Sequence, residues 1–265
     1  ELQTPAIRWY IPEQRALVLG NGQSPTVVDA EACHAQGMTV YRRSSGGTAV
    51  LVEKTLISLD IALPHGRPLA SDDVTQAYRW VGEAWAQALR ALGIAARAIP
   101  TDETRAIAPL ALNDPLRLAC YGSLSPWEVV VDDALTSQPR KLVGLCQVRR
   151  RFGALFQTGV YLRLDAGRLA SLLALPTATQ SSLAGRLRLA AVGLADATPG
   201  RQPPTAGDVV LAVERELAHV AGGRLADADW AAAELATADT LEHARFQPVS
   251  FDRAVDRSAL PQRIL

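Results

Sequence analysis

The chain has 265 residues, 48% of them hydrophobic, and its 27 basic and 27 acidic residues leave no formal net charge. This length and apolar content are enough for a substantial buried core, while neutrality argues against binding to nucleic acid. The apolar runs are too short to span a bilayer and no signal segment opens the chain, so we expect a soluble, cytoplasmic protein without membrane contact.

The first two thirds of the chain mix predicted strands and helices. Apolar alternation and β-branched runs predict strands, in chain order, at residues 6–11, 16–19, 39–43, 56–62, 95–99, 127–131, 141–148 and 155–162. A short helix is predicted at 30–36. A long helix is predicted at 72–92, with Ser71 as N-cap and Gly93 as its end, because apolar residues recur there at spacings of three and four.

The rest of the chain has few strand signals. Residues 100–115 are loop-like, residues 135–139 form a hairpin turn, and an alanine-rich helical part runs from 166 to about 240, interrupted by a Pro/Gly/Thr-rich loop at 198–207. This order predicts an α+β fold, with a mixed, largely antiparallel sheet flanked by helices. We expect residues 1–265 to form a single domain, with no internal repeats.

Cysteine and histidine usage gives no sign of a metal site. Cys33, Cys120 and Cys146 are an odd number of thiols without metal-type spacing, which favours reduced cysteines. The four histidines, His34, His65, His219 and His243, also lack such spacing. We therefore expect no metal, and a catalytic Cys–His pair through His65 is an open alternative.

The segment Arg42-Arg43-Ser44-Ser45-Gly46-Gly47-Thr48-Ala49-Val50 suggests an anion site. Two glycines after a strand let the backbone approach a ligand and offer it N–H groups, and the two arginines add positive charge. Such a loop suits a phosphate, a carboxylate or a thioester carbonyl. A tight turn with two surface arginines explains the same residues nearly as well.

Lys141 is unusual because only it and Lys54 are lysines among the 27 basic residues. An ammonium is a compact charge, suited to one developing oxyanion or phosphate oxygen, whereas a guanidinium is a broad planar fork. The alternative is a solvated lysine in a strand turn.

Three segments together resemble the lipoate–protein ligase and octanoyltransferase family in order and spacing. They are RRSSGGTAV at 42–50, ACYGSLSPWEVVV at 119–131 and RKLVGLCQVRRRFGALFQTGVYL at 140–162. The resemblance covers about residues 6–234, and it implies the catalytic fold that this family shares with biotin protein ligases. It further implies an amide product, between an octanoyl or lipoyl group and a lysine of a lipoyl carrier domain.

The resemblance also implies roles for individual residues. The glycine loop would wrap the acyl chain and its activated head, and Lys141 would polarise the acyl carbonyl. The implied substrate-binding residues are Arg42, Arg43, Ser45, Gly46, Gly47, Thr48, Ala49, Val50 and Gly144. Ala49, Val50, Val143 and Leu145 are candidates for an apolar acyl slot, with ordinary core packing as the alternative. The implied carriers are the E2 component of 2-oxoacid dehydrogenases and the glycine cleavage H protein, with acyl carrier protein as a possible donor.

Cys120 separates two reactions within this family. One octanoyltransferase branch forms a thioester on a cysteine placed like Cys120 and needs no cofactor, whereas ligases use ATP and Mg²⁺ and form an adenylate. Trp127-Glu128 stands where ligases more often carry Asn-Asp, which favours transfer, and Lys141 nearby could lower the thiol pKa. The alternative is that Cys120 is a small buried residue at a strand start.

Several departures from the family pattern keep a third reading open, that of a catalytically degenerate acyl- or carrier-binding module. Val52 and Thr158 stand where family members carry histidines. The family's N-terminal strand and helix are expected to be absent, and nothing after Glu234 resembles an accessory domain. Residues 149–151, three arginines, are either a solvated turn or a docking patch for an acidic carrier.

Overall fold

The computed structural model describes residues 4–107 and 109–251. That part of the chain contains nine strands: β1 (Ala6–Tyr10), β2 (Ala16–Leu19), β3 (Thr39–Arg42), β4 (Val50–Val52), β5 (Leu56–Pro64), β6 (Ala96–Ala98), β7 (Val129–Asp132), β8 (Pro139–Arg150) and β9 (Gly153–Tyr161). Six of them form a large sheet in the order β1-β5-β9-β8-β7-β6, with all neighbours antiparallel. The other three form a small sheet in the order β3-β2-β4, in which β2 and β3 are parallel.

Seven helices surround the sheets in the described ranges: α1 (Ala30–Ala35), α2 (Arg79–Ala91), α3 (Thr101–Ala106), α4 (Ala166–Ser171), α5 (Thr177–Ala190), α6 (Ala206–Ala221) and α7 (Ala232–Ala244). The predicted α+β fold, a largely antiparallel sheet flanked by helices, is confirmed. None of these helices is long and apolar enough to cross a membrane.

The two faces of the large sheet differ because side chains alternate along each strand. In β5, Ile57, Leu59 and Ile61 are buried against α2 and α6, where Trp85 and Val213 belong to the same apolar cluster. The intervening β5 side chains lie on the opposite face, toward the small sheet. This second face forms one wall of the candidate site.

The small sheet is buried against α4 and α5. Leu17, Leu51, Leu169 and Leu187 belong to one apolar cluster. Strand β4 was not among the predicted strands, since three residues are too few for a recognisable alternation. Strand β4 connects the glycine loop to β5. The two walls of the site therefore come from segments that follow each other in the sequence.

Helix α2 begins later than the predicted residue 72. The Asp73 carboxylate accepts hydrogen bonds from the Thr75 and Gln76 N–H groups, at 2.8 and 3.0 Å, and a 3₁₀ turn (Gln76–Tyr78) precedes the helix. Because Asp73 satisfies the first N–H groups, the chain turns there before it becomes α-helical. The helix ends as predicted, just before Gly93, whose φ is 79°.

Two predicted loops contain helix. Residues 101–106 form α3 inside the predicted 100–115 loop, and the Arg97–Glu103 ion pair of 2.6 Å ties this turn to β6. At the other loop, Thr205 caps α6: its side chain accepts from the Asp208 N–H, and the Asp208 carboxylate accepts from the Thr205 N–H. This capping box starts the helix at Ala206, one residue before the predicted loop ends.

Candidate active site

A cavity of about 260 Å³ lies between the small sheet and the second face of the large sheet. One part of its wall is apolar and the other part carries polar side chains. The apolar part consists of Val18, Val50, Val52, Leu56 and Tyr121; the polar part consists of Tyr10, Arg43, Ser58, Cys146 and Gln157; Cys120, Gly144 and Gly159 complete this set. Leu145 and Thr158 also border the cavity, although they pair in the row of Leu59, whose side chain lies on the opposite face. Tyr10 is 45% exposed, so the polar part faces the opening.

Cys120 reaches this cavity from a 3₁₀ turn (Cys120–Gly122), so the alternative that placed it at a strand start is wrong on this point. Its N–H donates to the Ala49 carbonyl at 2.9 Å, and the Ala49 N–H donates to Leu118 at 3.0 Å. These two bonds fasten the cysteine segment to the end of the glycine loop. Gly122 allows the turn, since a Cβ there would lie 2.2 Å from the Leu116 oxygen. The turn leaves the Cys120 thiol half-buried at the cavity wall.

Lys141 lies directly behind Cys120, with only 2% of its surface exposed. Its Nζ donates to the Cys120 carbonyl at 2.9 Å and lies 2.8 and 2.7 Å from the two carboxylate oxygens of Glu128. The alternative of a solvated lysine is therefore wrong. These three acceptors match the three N–H donors of an ammonium. In this arrangement Lys141 positions the peptide carbonyl of Cys120 and offers no further proton to the cavity.

Glu128 is held by the turn before β7. Its carboxylate also accepts the Ser125 N–H at 2.7 Å, and burial raises its pKa while the Lys141 ammonium opposes that rise. Trp127, the preceding residue, has φ of 70°, a left-handed conformation that is uncommon for a bulky residue. With Trp127 in this conformation, the side chain of the next residue, Glu128, points into the protein interior toward Lys141.

The glycine loop closes around the guanidinium of Arg43. Arg43 donates to the carbonyls of Gly46, Thr48 and Val18, with distances of 2.7, 3.0 and 3.2 Å. Gly47 has φ of 90°, and a Cβ there would lie 2.7 Å from Arg43 Nη2, whereas a Cβ at Gly46 would meet open space. Arg43 is therefore both a cavity-lining cation and the centre of its own loop.

Arg42 does not line the cavity, although the resemblance implied substrate contact. Its Nη1 donates to carbonyls of residues 20, 21 and 23 and so anchors the turn after β2. That turn crosses the glycine loop so closely that a Cβ at Gly20 would lie 1.9 Å from the Gly47 oxygen. Sequence reasoning missed Gly20, because the close approach joins segments distant in sequence.

The remaining predicted residues divide between the cavity and the core. Ser45 is buried and contacts Cys146, with 3.4 Å between Oγ and Sγ. Of the predicted slot residues, Val50 and Leu145 line the cavity. Ala49 and Val143 are fully buried in the apolar clusters around the small sheet and against α2, so the core alternative holds for these two.

Gly144 forms part of the cavity floor below Tyr121: a Cβ at Gly144 would lie 3.7 Å from that ring. Thr48 joins the loop around Arg43 through its backbone carbonyl. Val52 and Thr158, at the two positions where the resemblance implied histidines, both border the cavity. The Thr158 hydroxyl donates to the Leu59 carbonyl at 3.3 Å.

Neither of the other two thiols is a competing nucleophile, and His65 does not pair with Cys120. Burial raises the pKa of Cys146 to about 11 and that of Cys33 to about 11. His65 lines a separate cleft together with Arg149 and Arg150, so the Cys–His alternative has no support. In the described ranges, no three His, Cys, Asp or Glu side chains group as metal ligands do.

One polar cluster at the edge of the cavity was not anticipated; two of its members, Tyr10 and Gln157, line the cavity. The Asp60 carboxylate accepts from the Tyr10 hydroxyl and the Gln157 amide, each at 3.3 Å. Burial raises the pKa of Asp60 to about 6, although both hydrogen bonds oppose the rise. Strand alternation could have placed Asp60 on the face opposite Leu59 and Ile61, but a single acidic residue in an apolar strand carried no motif.

Comparison with known proteins identifies the family. The model of the lipoyl protein ligase A/B catalytic domain matches residues 1–218. A curated octanoyltransferase LipM from Kyrpidia tusciae is 33% identical over 244 residues, covering 89% of this chain and 83% of the relative. A second LipM, from Exiguobacterium sp., is 32% identical over 58% of this chain. The match spans about half (53%) of that relative's length.

A solved structure supports the same fold. The bipartite lipoate protein ligase of Thermoplasma acidophilum, described with its E2 lipoyl domain, superposes with a TM-score of 0.70 at 20% identity, covering 91% of this chain and 81% of that one. The resemblance in residues 42–50, 119–131 and 140–162 is thus confirmed, and the chain belongs to the lipoyl protein ligase A/B catalytic domain family.

Proposed function

We propose that this protein is an octanoyltransferase that carries the acyl group as a thioester on Cys120 and delivers it to a lysine of a lipoyl carrier domain. The observation that carries this proposal is the position of the Cys120 thiol at the wall of the cavity, with its peptide held by Lys141. The 33% identity to a LipM octanoyltransferase supports transfer over ligation.

The proposed reaction has two steps. In the first, the Cys120 thiolate attacks the thioester carbonyl of an acyl donor; the new C–S bond forms, the donor's C–S bond breaks, and the donor thiol leaves. In the second, the ε-amine of the carrier lysine attacks the acyl-Cys120 carbonyl, an amide forms, and the Cys120 thiol is regenerated. Dividing one transfer into two thioester steps is a common use of a reactive cysteine.

The apolar part of the cavity suits the acyl chain. Val50, Val52, Leu56 and Tyr121 line it beside Cys120. Each methylene that is removed from water contributes about 0.8 kcal/mol, so an eight-carbon chain gains much of its binding free energy there. The cavity volume is near the lower end of ligand pockets, roughly 300 Å³, which suits a slender chain.

Lys141 supports catalysis in this proposal through the Cys120 segment. Its ammonium already binds the Cys120 carbonyl and Glu128, so polarising an acyl carbonyl directly requires exchange of one of these partners. Arg43, at the polar side of the cavity, is a second cation that can face a developing oxyanion.

The ATP-dependent ligase is the second candidate, because the solved neighbour is a lipoate protein ligase. That likeness concerns the fold alone. Glu128 stands in the segment where ligases more often carry Asn-Asp, and both of its carboxylate oxygens bind Lys141. It therefore offers no free oxygen to Mg²⁺, and this residue does not fit a metal–ATP site.

The donor and carrier follow from the same proposal. We infer octanoyl-acyl carrier protein as the donor, since a transferase needs an activated thioester and no ATP. The acceptors would be lipoyl domains of 2-oxoacid dehydrogenase E2 components or the glycine cleavage H protein. A cytoplasmic location is consistent with such carriers.

The test is intact-mass spectrometry of the full chain after incubation with octanoyl-acyl carrier protein, and separately with octanoate and ATP. We expect the carrier protein alone to add one octanoyl group to the enzyme, in a bond that hydroxylamine cleaves, and a lipoyl domain to receive it. Cys120→Ser should lose this adduct. Cys146→Ser is the matched control, because Cys146 lines the same cavity, and it should keep the adduct.

Two outcomes contradict the proposal. Transfer that requires ATP and persists in Cys120→Ser would establish the ligase reading. If neither donor supports transfer while the protein still binds a lipoyl domain or acyl carrier protein, the degenerate binding module is the better description.

A further inference from the structure

The carboxylate of Asp60 lies next to the polar part of the cavity, where it contacts the lining residues Tyr10 and Gln157, and it has no basic partner among the residues that the structure describes. Its hydrogen-bond donors are the neutral Tyr10 hydroxyl and Gln157 amide, both at the long distance of 3.3 Å. Arg8 is opposite Asp60 in the strand pairing, but its guanidinium lies over the Trp230 ring and 3.7 Å from Glu234. A half-buried carboxylate with only neutral donors is a ready acceptor for a cation.

Strand register places Asp60 one row from the glycines that lie under Tyr121, the residue after Cys120. Asp60, Gln157 and Cys146 are paired across β5, β9 and β8, and the next row on the same face is Ser58, Gly159 and Gly144. Rows on one face are roughly 7 Å apart. The Gly159–Gly144 row lies under the ring of Tyr121, the residue after Cys120: the Tyr121 hydroxyl donates to the Gly159 carbonyl.

The opening of the cavity is on the Asp60 side. Tyr10, which contacts Asp60, is 45% exposed, whereas the apolar residues around Cys120 are largely buried. An acceptor that enters from solvent therefore passes Tyr10 and Asp60 before it reaches Cys120. An acyl chain on Cys120 would occupy the apolar part and leave this polar entrance free.

We propose that Asp60 is a catalytic residue, which binds the ε-ammonium of the acceptor lysine at the cavity entrance and takes its proton. This inference rests on the proposed function, because it concerns the second step, aminolysis of the Cys120 thioester. Proton transfer leaves a neutral amine and a protonated Asp60. The amine attacks the acyl carbon, the C–N bond forms and the C–S bond breaks; the departing Cys120 sulfur takes the second amine proton, and Asp60 returns its proton to solvent.

A base is needed here because a lysine amine with an ordinary pKa is about 0.04% neutral at pH 7. The other cavity groups do not fill this role. Burial raises the pKa of Cys146 to about 11, and Glu128 is bound to Lys141. The two positions where the family pattern has histidine are Val52 and Thr158. Asp60, with a pKa raised to about 6, is mostly ionised at neutral pH and closer than an ordinary carboxyl to the range of an efficient base.

The groups that face Asp60 do not titrate near pH 6. On β1, burial and Asp60 itself hold the pKa of Tyr10 above its usual range, and the Arg8 guanidinium lies against Trp230 and Glu234. On β8, Cys146 titrates at about 11, and on β9 Gln157 is neutral. If the rate of the transfer step rises with pH near pH 6, this rise, the acid limb of the pH profile, is therefore assigned to ionisation of Asp60.

The experiment measures the two steps separately with full-length protein. Asp60→Asn should form the Cys120 thioester from octanoyl-acyl carrier protein within about twofold of the wild-type rate, and should pass it to a lipoyl domain about a hundredfold more slowly at pH 7. Asp196→Asn is the control, since Asp196 is exposed and paired with Arg163 at 3.8 Å. Hydroxylamine, which needs no base at neutral pH, should discharge the thioester of all three proteins at the same rate.

The pH profile gives the decisive readout. Wild-type transfer should rise with pH to a plateau above about pH 6, because the base must be ionised, whereas Asp60→Asn should lose that limb and rise steadily toward the pKa of lysine. Asp60→Glu should restore a limb. An Asp60→Asn or Asp60→Ser variant that transfers at the wild-type rate, or keeps the limb, overturns the inference. Absence of a thioester in the wild-type protein would instead contradict the proposed function.

Discussion

The Lys141 ammonium lies 2.7 Å from Glu128 Oε2, and both side chains are almost completely buried. The same ammonium holds the Cys120 carbonyl. A buried ion pair therefore joins β8, the turn before β7 and the cysteine segment. Removing one member leaves the other charge buried and unpaired, which typically costs about 3–5 kcal/mol, whereas replacing both by apolar residues is often nearly neutral.

The first prediction concerns the stability of this pair. Lys141→Met and Glu128→Leu should each lower the free energy of unfolding by about 3–5 kcal/mol, and the double variant should lose far less than their sum. Urea unfolding of the four proteins measures this coupling. Additive losses would show that the two charges do not stabilise each other. All three variants should lose acyl transfer. The Cys120 carbonyl loses its hydrogen bond from Lys141 where Lys141 is replaced, and Lys141 loses its orienting partner where only Glu128 is replaced.

The glycine loop gives a prediction that separates its two glycines. Gly47→Ala puts a side chain at φ of 90° and 2.7 Å from the Arg43 guanidinium, so it should destabilise the protein by about 1–2 kcal/mol and weaken donor binding. Gly46→Ala meets open space and should change stability by less than about 0.5 kcal/mol. Thermal unfolding and KM for octanoyl-acyl carrier protein are the measurements. Equal behaviour of the two variants would mean that the loop does not depend on the Arg43 contact.

Much of the fold could be predicted from the sequence because it depends on local patterns. The alternation in 56–62 and the glycine at 93 were sufficient for β5 and the end of α2. The start of α2 was not predicted, since the Asp73 side chain competes with the helix for the same N–H groups. Strand β4 was missed because three residues carry no period.

The candidate site was predictable where residues act within one segment. Cys120, Arg43, Val50 and Gly144, which were named from the family pattern, all line one cavity, and their roles in binding and catalysis stay predictions. The proximity of Lys141 to Cys120 was predicted, but the binding of its ammonium by Glu128 and the Cys120 carbonyl was not, because these contacts join segments distant in sequence. Asp60 was missed for a related reason: the role proposed for it depends on its contacts with Tyr10 on β1 and Gln157 on β9.

A third prediction tests the Asp60 environment without any activity. Because the folded-state pKa of Asp60 is raised to about 6, above the roughly 3.9 of an unfolded chain, its ionised form destabilises the folded protein. The contribution of the protonated Asp60 carboxyl to the free energy of unfolding is complete below about pH 4, and it is lost as the pH rises through 6. Asp60→Asn should therefore be more stable than wild type by about 1–3 kcal/mol at pH 8, with the difference vanishing near pH 4.

Denaturant titrations of wild type and Asp60→Asn at several pH values provide this measurement. Asp196→Asn again serves as the control and should show no such pH-dependent difference, because its carboxylate is exposed. A stability difference that is constant with pH would mean that burial does not disfavour the ionised carboxylate of Asp60.

The last prediction addresses acyl-chain length through Gly144. A Cβ at this position would lie 3.7 Å from the Tyr121 ring, an ordinary contact, so Gly144→Ala should fold normally while it removes room from the cavity floor. If the chain occupies that floor, the variant should lower the octanoyl-to-hexanoyl ratio of kcat/KM by a factor of about four to fifteen, corresponding to one or two methylenes at about 0.8 kcal/mol each. Gly185→Ala, on α5 with open space around it, is the matched control. An unchanged ratio in Gly144→Ala would place the acyl chain elsewhere in the cavity.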